Sequence, residues 1–248
     1  MLDAKSERVL ADVVKQLRAR FDTRLVAASL YGSATGPDFV PGVSDINVVI
    51  VLDTVNPTDL ETLQGDVRRW RKVGLATPLV LDRAFLRTAA DVFPMELEEI
   101  KDRHRPLFGE DVLATLTIRR DNLRYQCEHE ARGKLLRLEG LFLEQGDNQR
   151  ALRALIIDSL KTFLIVLRNV NRLVGVHAPG DSYAAVLQSG ARHFDVEFPL
   201  MTQLLDIKLG RAQWPDDSDR VFRHYVEEVQ RLVGLIDRLP ADGSQMSR

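Results

Sequence analysis

The sequence predicts an α+β protein, a mixed β-sheet with flanking helices followed by an all-α helical bundle, on three observations. Two short apolar runs, 25–31 (LVAASLY) and 46–52 (INVVIVL), have the length and the apolar or β-branched content of buried strands. A helix-length segment then leads to a third apolar run at 75–81 (LATPLVL). Beyond about position 115 the apolar residues recur only at helical spacing, so the chain is read as two domains, 1–115 and 116–248. With 248 residues, 45% of them hydrophobic, it can supply one large core or two smaller ones.

Within the first domain, residues 3–20 carry Val9, Leu10, Val13, Val14 and Leu17 on one stripe with charge opposite, the pattern of a helix packed on the sheet. Asn56-Pro57 reads as an N-cap followed by proline at the first helical position, starting a helix that runs to about Lys72 and crosses to the third strand. A short helix is expected after Pro94, within 91–105. In the second domain Leu123, Cys127, Ala131, Leu135, Leu138 and Phe142 mark a helix over 119–145, ended by Gly146-Asp147. The next helix, 148–174, is apolar on more than one face and belongs at the centre of a bundle. A loop at 175–180 precedes helices at about 182–191, 197–210 and 217–239, and the polar stretch 240–248 is expected to fray.

The chemistry concentrates where the first strand ends and the second begins. Gly32-Ser33 leaves the first strand, and after eleven residues Asp45-Ile46-Asn47-Val48 enters the second, so the two can face one cleft. Residues one apart on a strand point to the same side, which pairs Asp45 with Asn47. A Gly-Ser turn followed at this spacing by Asp-apolar-acid-apolar at a strand start resembles the nucleotidyltransferase superfamily, which includes DNA polymerase beta, the aminoglycoside nucleotidyltransferases and the minimal nucleotidyltransferases. The resemblance implies a turn at Gly32 and Ser33 whose amides approach the phosphates of a nucleoside triphosphate, and Mg2+ held by Asp45 and the residue at position 47. It further implies a third carboxylate on the next strand, completing a two-metal site for in-line displacement. A helical bundle after such a domain resembles the two-domain aminoglycoside nucleotidyltransferases, in which the acceptor binds between the domains.

Two departures from the family pattern shape the functional expectation. Position 47 is Asn, nearly isosteric with Asp but uncharged, and hard cations prefer charged oxygen ligands. The third acid is expected near Ala76, Thr77 and Pro78, where no carboxylate stands; Asp82 follows only at the strand's end and would need a shifted register. The first reading is therefore a catalytically impaired nucleotidyltransferase that retains a nucleotide-binding cleft. The second is an active enzyme moving a nucleoside monophosphate from a triphosphate to a small-molecule or protein hydroxyl, with Asp45 as main metal ligand, Asn47 as a weak one and Asp82 completing the site. The third is an interaction module of a toxin and antitoxin type pair, in which the helical half matters most.

Other constellations carry less. Glu128, Glu130 and Glu139 could supply a general base from the bundle, although solvated helix surface is their usual place. Arg172 and His177 have the spacing of a motif in helical ribonucleases that accompany minimal nucleotidyltransferases, but both fall where a helix is ending, and basic residues are expected there from the dipole alone. Glu96, Glu98, Glu99 and His104 could offer ligands near a cleft, but spread through an amphipathic helix they read as solvated charge, and His129, His193 and His224 show no metal spacing. There is no Walker loop, nucleophile elbow or zinc ribbon. With 34 basic and 36 acidic residues and a net charge of -2, long nucleic acid is not an expected partner. No leader-like or membrane-length apolar segment is read, and the single cysteine, Cys127, suits a buried thiol in a reducing cytoplasm. An exposed apolar face on the helical half would favour a homodimer.

Overall fold

The computed structural model describes residues 2–40, 44–145, 148–215 and 217–240. The Gly146-Asp147 helix stop and the tail 241–248 lie outside the described residues. The chain divides into two compact units, Met1–Ile118 and Arg119–Arg248, and each is described by itself.

The first unit opens with α1 (Ala4–Phe21), capped by the Asp3 side chain, which buries Leu10, Val13, Leu17 and Phe21. β1 (Leu25–Tyr31) and β2 (Asn47–Leu52) pair antiparallel, from Leu25 against Leu52 to Tyr31 against Asn47. The sheet order is β3-β2-β1-β4, so these two strands are central, and their nearly continuous apolar sequence follows from cover on both faces. On one face Ala28, Leu30, Val48 and Ile50 pack with Leu10, Leu17, Leu63 and Trp70 of the helices. On the other, Val26, Ala27, Val49 and Val51 pack with Leu86, Leu97 and Ile100.

α2 (Pro57–Lys72) starts with a complete capping box: Asn56 Oδ1 accepts the Asp59 amide and the Asp59 carboxylate accepts the Asn56 amide, both at 3.0 Å. Arg24 donates to that carboxylate from both Nη atoms, at 2.9 and 2.6 Å, and so holds the Asp59 carboxyl below its usual range. Asn56→Ala is expected to cost about 1 kcal/mol, read as a lower urea midpoint; an unchanged midpoint would mean that the cap contributes nothing.

Three elements differ from the expectation. The run at 75–81 makes only one bridge, Leu75 to Ile46, before Thr77-Pro78 interrupts it; β3 (Leu79–Asp82) then runs parallel to β2 at the sheet edge. α3 (Arg83–Thr88) follows at once and was not anticipated, being too short to show periodicity. α4 (Pro94–Asp102) ends before His104, and β4 (His104–Gly109) is an unexpected edge strand antiparallel to β1. Pro106 is tolerated in it because an edge strand has a free side where a missing N–H costs nothing. Gly109 closes the strand at φ +80, where a Cβ would lie 2.0 Å from the Val26 carbonyl oxygen.

In the second unit, α6 (Gln149–Leu173) packs against α5 (Arg120–Gln145), α7 (Tyr183–Phe194), α8 (Pro199–Lys208) and α9 (Ser218–Asp237). Its many-sided apolar pattern is what a central helix requires, and Leu152, Ile156, Leu160, Phe163 and Leu167 are buried along it. Arg168, Asn169 and Asn171 are buried as well: the Arg168 guanidinium lies 4.5 Å over the Tyr183 ring, and Asn171 Nδ2 donates to Val186 O and Ser189 Oγ. Tyr225 is buried with its hydroxyl 3.0 Å from Ser159 Oγ, and burial pushes the phenol well up. α8 has no capping side chain of its own; Glu228 of α9 accepts the Leu200 and Met201 amides instead, both at 2.8 Å. Cys127 is buried, and among the described residues no helix is long and apolar enough to cross a membrane.

Candidate functional site

Antiparallel pairing of β1 with β2 carries the end of one strand to the start of the other. Tyr31 stands opposite Asn47, so Gly32-Ser33 and Asp45–Asn47 meet at one end of the sheet. Gly32 has φ +79, a backbone region that suits glycine, and a Cβ there would come within 3.3 Å of Asn47 Nδ2. Glycine thus serves both the turn and the close approach of its backbone to the Asn47 amide. Ile46 points into the core shared with α1 and α2, so Asp45 and Asn47 fall on the opposite face. Asp45 is exposed and Asn47 half-buried.

Two residues reach the same end through β4: His104, which the sequence offers as a ligand near a cleft but more readily as solvated charge, and Arg103, which nothing in the sequence marks. Tyr31 pairs with His104 on its other side, which lines up Asn47, Tyr31 and His104 across three strands. His104 is turned away from the glutamates of α4: its Nδ1 lies 2.8 Å from the Lys101 carbonyl and its Nε2 2.8 Å from Asp111 Oδ1. Arg103 precedes it, its carbonyl accepting the Gly32 amide at 2.8 Å and its Nη2 donating to Asp38 at 3.0 Å. Tyr31 itself is half-buried, and burial raises its phenol.

Asp82 is not brought to this end. It pairs in register with Leu52, at the far end of β2 from Asn47, roughly 16 Å away at about 3.3 Å per residue. Its carboxylate is engaged locally, accepting the Phe85 amide at 2.7 Å as the N-cap of α3 and the Val55 amide at 3.4 Å. Among the described residues no group of three or more His, Cys, Asp or Glu side chains could hold a metal ion. Of the two residues at the start of β2, Asp45 offers a carboxylate and Asn47 a neutral amide.

Of the bundle glutamates singled out by sequence, Glu128 and Glu130 are engaged in ion pairs. Glu128 accepts from Arg124 and Arg132, each at 3.1 Å, and Glu130 lies 3.9 Å from Lys134. α6 ends at Leu173, so Arg172 lies in its last turn and His177 in the following loop, 3.6 Å from Asp181.

No protein-family model and no curated protein matches the sequence. Among solved structures the chain is similar to spectinomycin adenyltransferase AAD(9) from Enterococcus faecialis, crystallised with ATP and spectinomycin. The TM-score is 0.54 at 11% sequence identity, over 90% of this chain and 99% of that one. At that identity the likeness is one of fold alone, a mixed-sheet domain followed by a helical one.

Proposed function

We propose that this protein binds a nucleotide in the cleft formed by Gly32, Ser33, Asp45 and Asn47, and that its capacity for metal-assisted nucleotidyl transfer is impaired. One observation supports the reading: the Tyr31–Asn47 register gathers the Gly32-Ser33 turn with the start of β2, and just before that start stands the carboxylate Asp45 beside the neutral Asn47. The turn is what nucleotide binding needs; the carboxylates are what transfer needs. Asn47 supplies an amide that can donate to a phosphate oxygen as well as offer a carbonyl. A triphosphate held by backbone amides and the Asn47 amide would depend little on Mg2+.

The alternative is an active enzyme that transfers a nucleoside monophosphate from a triphosphate to a small-molecule or protein hydroxyl. It is favoured by the fold likeness, since AAD(9) was crystallised with both ATP and a small acceptor. Calorimetric titration with ATP, with and without Mg2+, separates the two. Metal-independent binding is expected; binding that requires Mg2+ would favour the active enzyme, and no binding in either condition would remove the nucleotide from both readings.

Asn47→Asp restores the missing charge beside Asp45. It is expected to raise Mg2+-dependent ATP affinity by about tenfold, equivalent to ~1.4 kcal/mol. Unchanged metal dependence in that variant would sink the account of Asn47 as a neutralised ligand.

A further inference from the structure

We propose that Arg103 is the positioning residue of the cleft, holding both ends of the turn at residues 32–38 in one phosphate-facing shape; the proposal rests on the nucleotide reading above. Two separate groups of this residue act on the turn. At its start, the Arg103 carbonyl accepts the Gly32 amide at 2.8 Å. At its far end, Arg103 Nη2 donates to Asp38 Oδ2 at 3.0 Å. Between these points the chain passes over the guanidinium: a Cβ on Gly36 would sit 3.9 Å from Arg103 Cζ and Nη1, ordinary contact distance.

The turn is already a unit of its own. Thr35 Oγ1 donates to the Gly32 carbonyl at 2.8 Å, and the Gly36 amide donates to the Ser33 carbonyl at 3.0 Å. Pinning its two ends therefore fixes the whole segment. The pair is not an ordinary surface bridge, because the Arg103 side chain is 4% exposed and that of Asp38 15%. A guanidinium taken so far out of water is costly without an anion beside it, and Asp38 supplies one. The anchor is fixed in turn, since Arg103 follows α4 directly and precedes the first residue of β4. A lysine ammonium, a compact point charge more strongly hydrated than a guanidinium, is poorly suited to so buried a place.

The test uses the full chain as Asp38→Asn, Arg103→Lys and the double variant, with two readouts. The first is amide hydrogen exchange at Gly36, compared with Leu30 and Ile50 in the central strands. The second is ATP titration. Each single substitution is expected to speed exchange at Gly36 by about tenfold while the strand amides keep their protection, and to weaken ATP binding by about tenfold through lost preorganisation. The double variant should lose no more than the worse single one, because both break one pin. A general loss of protection, turn exchange that does not respond, or additive losses would overturn the proposal. Should Arg103→Lys fail to fold, Asp38→Asn decides, with Asp38→Glu expected to recover part of the protection. The two readings fail separately: a turn that loosens in a protein that never binds ATP removes the nucleotide and leaves the pin, whereas intact ATP binding with an unresponsive turn removes the pin alone.

Discussion

Gly109→Ala is expected to lower stability by at least about 3 kcal/mol, among the largest effects of any single substitution in the first unit. Two costs combine. At φ +80 an alanine is strained, and its Cβ would have to occupy space 2.0 Å from the Val26 carbonyl oxygen, a backbone atom that cannot rotate aside. The same carbonyl accepts the Glu110 amide at 3.2 Å, so relief by displacement would break the junction of β1 with the end of β4. Gly74 provides the comparison, with φ +95 and nothing within 4 Å of the same added atom. Gly74→Ala should show the strain alone, about 1–2 kcal/mol. Equal urea midpoints for the two variants would mean that the close approach at Gly109 is absorbed without cost.

Glu228→Ala should do comparable damage in the second unit. The carboxylate is 2% exposed and receives both the Leu200 and Met201 amides, each at 2.8 Å, at the start of a helix that begins with Pro199 and has no cap of its own. Removing it orphans two buried donors, at about 1–3 kcal/mol for each. Glu228→Gln keeps one acceptor and should lose roughly half as much. Burial raises the Glu228 carboxyl above its ordinary 4.5, against the two amides and Arg231, which pull it down. A carboxyl whose value is raised by folding contributes most below the unfolded value and loses that contribution as pH climbs through the folded one. The stability gap between the native chain and Glu228→Ala should therefore be widest below about pH 4.5 and narrow upward from there. A gap that widens with rising pH would show that the helix amides, and not burial, govern this carboxylate.

What could be read from sequence follows the range of the signals. β1, β2 and α2 announce themselves within a few residues, through apolar runs and the Asn56-Pro57 start, and their ends fall where expected. The meeting of Gly32 with Asn47 was legible for the same reason: an antiparallel pair brings the end of one strand to the start of the next. β4 was not legible, because HRPLFG has no alternation and carries a proline, and only its pairing with β1 makes it a strand. Arg103 and His104 come to this end with that pairing, so nothing local marked Arg103, and His104 stood out only as one of a charged cluster. Asp82 misled in the opposite way. Its place after an apolar run looked like a strand acid, but the parallel register carries it to the wrong end of β2, where it caps α3.

The order of strands in the sheet also sets an order in time. β1 and β2 are neighbours in sequence and can pair after closing one short connection, whereas β4 must return across α2, β3, α3 and α4 before it meets β1. Closing the longer loop costs more chain entropy and waits on more prior structure. Side chains of the β1–β2 hairpin accordingly belong to the folding nucleus, and substitutions there should slow refolding, while those in β4 should mainly hasten unfolding. On this order Arg103 and His104 come in with the final strand, so a chain arrested one step earlier should keep the β1–β2 pairing but lack the Arg103 contacts to Gly32 and Asp38.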